Sequence, residues 1–434
     1  MRRFGIILLA AAAVFAAVAC KDGAASRNNL IPSGPESPTA SVKTSAPSGP
    51  RYVVYEANPR CFATSRQLNA ITMRLSQIKA LGADVLWIMP FYPLGTEKAF
   101  GSPYCIKDYK GIRTECGTLE DFGVLVSSAH SKGMKVMLDW VANHTAWDHP
   151  WITEHPDWYA QDGQGNIVYP ETWTDVAQLN YANNDLRAAM IDAMSFWVGK
   201  GVDGFRCDYA HGVPDSFWTE AITALRQINP DLVMLAESDY ERLYDDGFDI
   251  VFSRALKAGL VDLFAGRSKP SAFMIGSFSQ TVSRVPEGKS KLFFITNHDD
   301  ASEVSPVVQF PGEKAALSAF VLAAALDGSP LIYSSQEIGY PSKVNFVNVT
   351  VMDWASNTSY TGEYEAAMSV LSMLDRSGGF TSYVSDSTVW IVYDNGLVAV
   401  NTTGREVTCA YPSGFSERDE SLTFGPYGYF VVFK

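Results

Sequence analysis

The residues of this 434-residue chain that could do chemistry gather at the ends of short apolar runs. The most informative is VDGFRCDYAH at 202–211. Arg206 and Asp208 are two positions apart there, so the period of two along a strand sends both side chains to one face. A guanidinium beside a carboxylate could hold a nucleophile ionised and oriented. A buried structural ion pair would read the same way from these ten residues alone. Three further runs end in acid. LVMLA at 232–236 leads into Glu237 and Asp239, and LFFIT at 292–296 leads into Asn297, His298, Asp299 and Asp300. MKVML at 134–138 leads into Asp139, followed by Asn143 and His144. Carboxyl groups converging from several strand ends suit a reaction that needs one ionised and one protonated acid. Arg206 should favour the ionised form of Asp208. Glu237 ends a strongly apolar strand with no basic neighbour in sequence, which favours its protonated form.

The elements that must position these groups alternate in type. Strands are expected to begin near Tyr52, Asp84, Met134, Val202, Leu232, Phe248, Leu292 and Pro330, with Gly204 allowing close backbone approach in the fourth. Leu68, Ile71, Leu75 and Ile78 give the first intervening helix its apolar face. Thr118, with Asp121 three residues on, is a helix N-cap; Phe122, Leu125, Val126 and Ala129 form that helix's buried face, and Gly133 is its stop. Strands alternating with helices imply a parallel sheet, and eight such units close into a barrel with its chemistry at the strands' carboxyl ends. Residues 145–180 are too long for a plain connection and carry Trp147, Trp151, Trp158, Tyr159, Tyr169 and Trp173. Beyond a last helix near residues 363–374, VWIVY at 389–393, Asp394-Asn395-Gly396 and LVAV at 397–400 read as a hairpin in a small antiparallel domain.

The four acid-bearing stretches, in this order, resemble the four short conserved regions of the α-amylase family, glycoside hydrolase family 13. The resemblance covers nearly all of residues 51–434. It implies a (β/α)8 TIM barrel with a short B-domain insertion after strand 3 and a small C-terminal antiparallel β domain. The barrel would occupy residues 51–144 and 181–360, the insertion 145–180 and the β domain 361–434. It implies hydrolysis of α-1,4-glucosidic bonds with retention, Asp208 being the nucleophile, Glu237 the general acid/base and Asp299 the third carboxylate. Tyr104, in GSPYCIKDY, matches a tyrosine that stacks under the sugar; His144, His298, Arg206 and Asp139 match groups that bind or support it. Gln336 and Glu337 match a structural segment after the eighth strand. Most rings of the insertion are expected to form its own core, while exposed ones could stack on sugars.

Two departures qualify the resemblance. Where many members have Lys-His beyond the nucleophile, this chain has His211 and Gly212, which puts the leaving-side contacts in question. Asn143 matches a calcium-ligand asparagine, but Gln178 stands where an aspartate usually joins it, and a hard cation wants anionic oxygen. No cofactor is therefore expected to be required, with calcium a weak candidate at Asn143 and Asp175 nearby. Alternatives sharing the constellation are a cyclomaltodextrin- or pullulan-degrading relative, a transglycosylating one, and a non-catalytic glycan-binding surface lipoprotein. The last predicts loss of an acid, and all three acids are present.

Residues 1–20 read as a lipoprotein signal peptide, with Arg2 and Arg3 before an apolar run and AVAC placing Cys20 as the lipidated residue. An ordinary signal peptide with a chance cysteine is the alternative. Residues 21–50, rich in Ser, Pro, Ala and Gly, read as a flexible tether. These features imply a bacterial cell-envelope location, membrane contact through the lipid anchor, and glycan-uptake proteins as candidate partners. A net charge of −13 without basic runs argues against a nucleic-acid partner. Of six cysteines, Cys105 and Cys116 are a candidate disulfide pair in an oxidising compartment.

Overall fold

The computed structural model describes residues 34–45, 49–413, 415 and 421–434. Its strands are β1 (Thr39–Lys43), β2 (Val54–Ala57), β3 (Val85–Ile88), β4 (Lys135–Trp140), β5 (His144–Ala146), β6 (Val176–Gln178), β7 (Gly204–Cys207), β8 (Val233–Ala236), β9 (Ile250–Phe252), β10 (Ser290–Phe293), β11 (Ser329–Tyr333), β12 (Thr381–Val384), β13 (Thr388–Val392), β14 (Gly396–Asn401), β15 (Val407–Ala410), β16 (Ser421–Phe424) and β17 (Tyr429–Phe433). β2, β3, β4, β7, β8, β9, β10 and β11 pair in parallel in that order, and β11 returns to β2 to close the barrel. Each of the eight strands expected from the sequence is present. The lumen is filled by Val54, Val85, Trp87, Met137, Val233, Leu235, Ile250, Phe252, Leu292, Phe294 and Leu331, which form one buried cluster. Each such side chain contributes about 1.5–3 kcal/mol relative to exposure.

Counting on by two from these lumen positions reaches the polar groups at the carboxyl ends. Met137 leads to Asp139, Leu235 to Glu237 and Phe252 to Arg254, while Gly204 leads to Arg206 and then Asp208. Gly204 is required by its neighbours, because a Cβ there would lie 2.3 Å from the Val233 carbonyl oxygen. The helix Gln67–Ala80 buries Leu68, Ile71, Leu75 and Ile78, as its spacing predicts. The helix Leu119–Ser131 opens with a capping box in which Thr118 and Asp121 satisfy each other's backbone N–H.

Residues 145–180 are framed by the antiparallel pair β5 and β6. Trp158 and Tyr159 are buried, and Trp151 stacks on Tyr109 with centroids 5.6 Å apart, so much of the insertion's aromatic content is core. The helix Thr358–Leu371 belongs to the barrel wall: Tyr364 packs 5.0 Å from Phe320 and accepts from the Gln336 amide. The β domain therefore begins at β12 rather than at residue 361.

Two expectations are corrected. Residues 34–45 are not a free tether. β1 adds to a five-stranded sheet of order β1-β12-β13-β14-β17, and the Glu36 carboxylate accepts from the Ser385 and Ser387 hydroxyls at 2.6 and 2.8 Å. An edge strand is held by backbone hydrogen bonds and needs few large apolar side chains, so composition alone misreads it. Cys105 and Cys116 form no disulfide. Both are buried free thiols, Cys105 donating to the Asp175 carbonyl and Cys116 to the Gln67 side chain. Cys20, the signal segment and residues 21–33 lie outside the described residues. Among the described residues, no helix is long and apolar enough to cross a membrane.

Candidate active site

A cavity of about 300 Å3 opens at the carboxyl ends of the barrel strands. Its lining includes Tyr104, His144, Asp208, Glu237, His298 and Asp299, six residues singled out in the sequence. Asp139 and Arg206 lie directly beneath, both fully buried. Arg206 organises the floor. One terminal nitrogen donates to Asp139 Oδ1 at 2.8 Å and to Asp208 Oδ1 at 3.0 Å, and the other pairs with Glu237 Oε2 at 2.9 Å. Three carboxyls thus surround one buried guanidinium, whose face lies 5.0 Å from the Trp87 ring centroid. Removing one partner of such a buried set typically costs about 3–5 kcal/mol, because a desolvated charge is left behind.

The backbone brings the nucleophile and acid candidates together through a strained turn. Tyr209, the residue after Asp208, adopts a left-handed conformation with φ 43°, and its N–H donates to Glu237 Oε2 at 3.0 Å. A non-glycine residue in that region is held against its own preference, which is common where a site must be pre-formed.

The protonation tendencies of Asp208 and Glu237 are the reverse of the sequence-based expectation. Burial pushes the Asp208 carboxyl well above the usual carboxylate range, and although Arg206 opposes this, Glu237, Asp139 and Asp299 add to it. Burial also acts on Glu237, but Arg206, Arg254 and the Tyr209 N–H outweigh it and hold that carboxyl below its usual value. The expectation failed because Glu237 has basic neighbours in space that it lacks in sequence. Arg254 donates to Glu237 Oε1 at 2.6 Å from the start of the helix Arg254–Phe264.

The sugar-binding candidates form a second chain of contacts. His298 Nδ1 lies 2.5 Å from Glu56 Oε1, and its Nε2 lies 2.7 Å from the Tyr104 hydroxyl, which donates onward to Asp139 at 3.2 Å. Burial opposes charge on His298, but Asp299 and Glu56 prevail and lift it to about 9, so this ring is an imidazolium at neutral pH. His144 is the opposite case: burial lowers it to about 4, and it stands as a neutral imidazole. One ring therefore offers two donors to sugar hydroxyls or their neighbours and the other a donor and an acceptor. Asp299 is half-exposed on the cavity wall, 3.4 Å from His298 Nε2. Trp173, from the insertion, meets His144 and Tyr209 edge-on at 5.6 and 4.9 Å and closes one side.

The geometry can do one kind of chemistry well. Two carboxyls of opposite protonation tendency lie on adjacent strands above a common cation, and donors for a polyhydroxylated ring line the same cavity. The sequence profile described as "Alpha amylase, catalytic domain" matches residues 58–176 and 157–239. Residues 58–239 thus match the catalytic domain of the α-amylase family. It is 32% identical over 307 residues to the alpha-amylase MalA of Haloarcula japonica, which covers 66% of this chain and 44% of that protein. It is 33% identical over 240 residues to an alpha-1,4-glucan:maltose-1-phosphate maltosyltransferase of Rhodospirillum rubrum, 49% of this chain and 34% of that one. The chain thus spans less than half the length of either relative. The crystal structure of an alpha-amylase from Lactobacillus plantarum superposes with TM-score 0.77 at 27% identity, over 88% of this chain and 98% of that one.

Two residues of this α-amylase-family site escaped the reading of the sequence. Glu56 sits inside the fully buried strand β2, where a lone acid can persist only with a partner, and that was the signal available. Arg254 lies two positions beyond the lumen residue Phe252, so strand parity pointed to it. Gln336 and Glu337 are structural, as expected: Glu337 accepts from the Tyr55 hydroxyl at 2.6 Å, away from the cavity. The calcium candidate Asn143 is engaged by a neutral neighbour. The Asn143 amide donates to His144 Nδ1 at 3.2 Å, neutral Gln178 faces His144 across β5 and β6, and no cluster of three acidic, His or Cys side chains suited to a metal occurs among the described residues.

Proposed function

We propose that the protein is a retaining α-glucan hydrolase cleaving α-1,4-glucosidic bonds in starch-like polysaccharides or maltooligosaccharides. One observation carries the reading. Asp208 and Glu237 end adjacent strands on two nitrogens of one buried guanidinium, with Asp299 and His298 lining the same cavity. A retaining mechanism needs two carboxyls about 5–5.5 Å apart across the anomeric carbon. In the first step an Asp208 oxygen bonds to that carbon as its bond to the leaving oxygen breaks, and Glu237 gives the leaving oxygen its proton. In the second, water gives a proton to Glu237, its oxygen bonds to the same carbon, and the Asp208 carboxylate departs. Two displacements restore the original configuration. In the protein alone the proton favours Asp208, so catalysis begins once it resides on Glu237 and Arg206 stabilises the Asp208 anion.

A transferase reading uses the same residues, with a sugar hydroxyl in place of water. The likeness to a maltosyltransferase supports it, as does the exchange of the family's leaving-side Lys-His for His211 and Gly212. Product chromatography of the purified mature protein on amylose, pullulan, cyclodextrin and maltotriose separates these cases. New reducing ends from amylose and maltotriose are expected. Products longer than the substrate would favour transfer, action confined to pullulan or cyclodextrin would favour the relatives that degrade them, and no release from any of the four would refute the proposal.

The protein is proposed to work at a bacterial cell envelope, held through a lipid on Cys20, on the strength of the AVAC sequence at 17–20. Cys20→Ser should move it from the membrane fraction to the soluble one or block its maturation. A processed variant still bound to membranes would count against the anchor.

A further inference from the structure

Both oxygens of Glu237 meet donors from the protein itself. Oε2 takes the Tyr209 N–H at 3.0 Å and the Arg206 ion pair at 2.9 Å, and Oε1 takes Arg254 at 2.6 Å. A carboxyl held in this way, with a cation 2.6 Å from Oε1, is disfavoured as a proton carrier toward a leaving group. Losing one of these contacts would favour the protonated form that an acid needs. Arg206 cannot leave: its side chain is 0% exposed and is pinned by Asp139 and Asp208. The Tyr209 N–H is main chain in a constrained turn. The Arg254 side chain is 46% exposed, and it has a second seat. Asp239, two residues beyond Glu237, lies 3.6 Å from the Arg254 guanidinium and accepts the Arg254 backbone N–H at 3.2 Å through both oxygens.

The position of Arg254 is itself costly, because a cation in the first turn of a helix opposes the macrodipole. Asp239 offsets this at the same helix end. The other charged groups around Glu237 are Asp208 and Asp139, which disfavour its anion, and the His298 imidazolium, which favours it. None of these three donates to Oε1.

Resting on the assignment of Glu237 as the acid/base, we propose that Arg254 is a two-seat latch. It holds Glu237 as a carboxylate while the leaving side of the cleft is empty and swings onto Asp239 when a sugar fills that side. Releasing Oε1 lets Glu237 take up the proton needed for bond cleavage. Arg254 is thus a positioning residue that sets when the acid is armed.

The test is the pH dependence of kcat/KM on maltooligosaccharides, which reports the free enzyme's acid and base. An opposite charge at this range lowers a carboxyl by one to three units, and with the free-enzyme proton favouring Asp208 it is Glu237 that sets the acid limb, so Arg254→Gln should move that limb up by about one unit or more. Arg254→Lys, which keeps a cation, should leave the limb near its wild-type place. Asp239→Asn, which weakens the second seat, should lower kcat several-fold on glucans. It should spare an aryl α-maltoside whose phenol leaves without protonation. An unmoved limb in Arg254→Gln, or equal loss on both substrates in Asp239→Asn, overturns the latch. Glu237→Gln is the control: it should be inactive on glucans yet cleave the activated aryl substrate. Full glucan activity in that variant would instead overturn the acid/base assignment itself.

Discussion

At the scale of residues, the site is governed by pairs that raise or lower the cost of a charge in a buried place. His298 is the sharpest example. Free imidazole titrates near 6.5, while the folded ring holds its proton to about 9. A raised value stabilises the fold fully below the unfolded value, and that contribution, on the order of 3 kcal/mol, is lost as pH rises through 9. Glu56→Gln removes one of the two carboxylates responsible. By NMR the variant's His298 should titrate at least about one unit lower than in wild type. Its thermal midpoint should also depend less on pH between 7 and 9.5. A ring titrating at the same pH in both proteins would show that Glu56 does not set its charge. The residues proposed to carry the chemistry were legible by position because strand parity and terminal acids are local signals: Asp208, Glu237, Asp299, His298 and Tyr104 all line the cavity. Their protonation was not legible. It depends on Arg254, which approaches Glu237 from the next strand's end, and on Glu56, which meets His298 across 242 residues of sequence.

At the scale of elements, the eight barrel strands could be read from apolar runs bounded by acids and turns, since each packs a continuous apolar face into the lumen. β1 could not. Its sequence, TASVK, carries one large apolar residue, and its order comes from pairing with β12 and from Glu36. The Glu36 carboxylate gathers the Ser385 and Ser387 hydroxyls, the Ser387 N–H and Arg405. Glu36→Ala leaves these donors without an acceptor and should lower the stability of the β domain by about 1–3 kcal/mol, read as an earlier denaturant midpoint. An unchanged midpoint would mean that the strand is held by its backbone pairing alone. The last helix was likewise assigned to the β domain because it adjoins it in sequence. Its buried face, with Tyr360, Tyr364 and Leu371, docks on the barrel instead.

At the scale of the whole molecule, the barrel places three acids from three strand ends around one cavity, while the insertion supplies a wall through Trp173 and the β domain stands apart from the chemistry. The division of labour explains why the family was readable and the substrate was not. Asp208 and Glu237 directly follow rigid strands with fixed parity, whereas Tyr209, His211 and Tyr240 meet on connecting segments where no local pattern encodes the contact. The central claim is that Asp208 becomes covalently bound to the sugar. Its most direct test is to inactivate the purified protein with a fluorinated α-glucosyl fluoride, which slows the second displacement more than the first, and to map the label by peptide mass spectrometry. One added sugar is expected on the peptide containing Asp208 and none in Asp208→Asn. A sugar on any other residue, or turnover of glucan by an enzyme that never carries one, would contradict the claim.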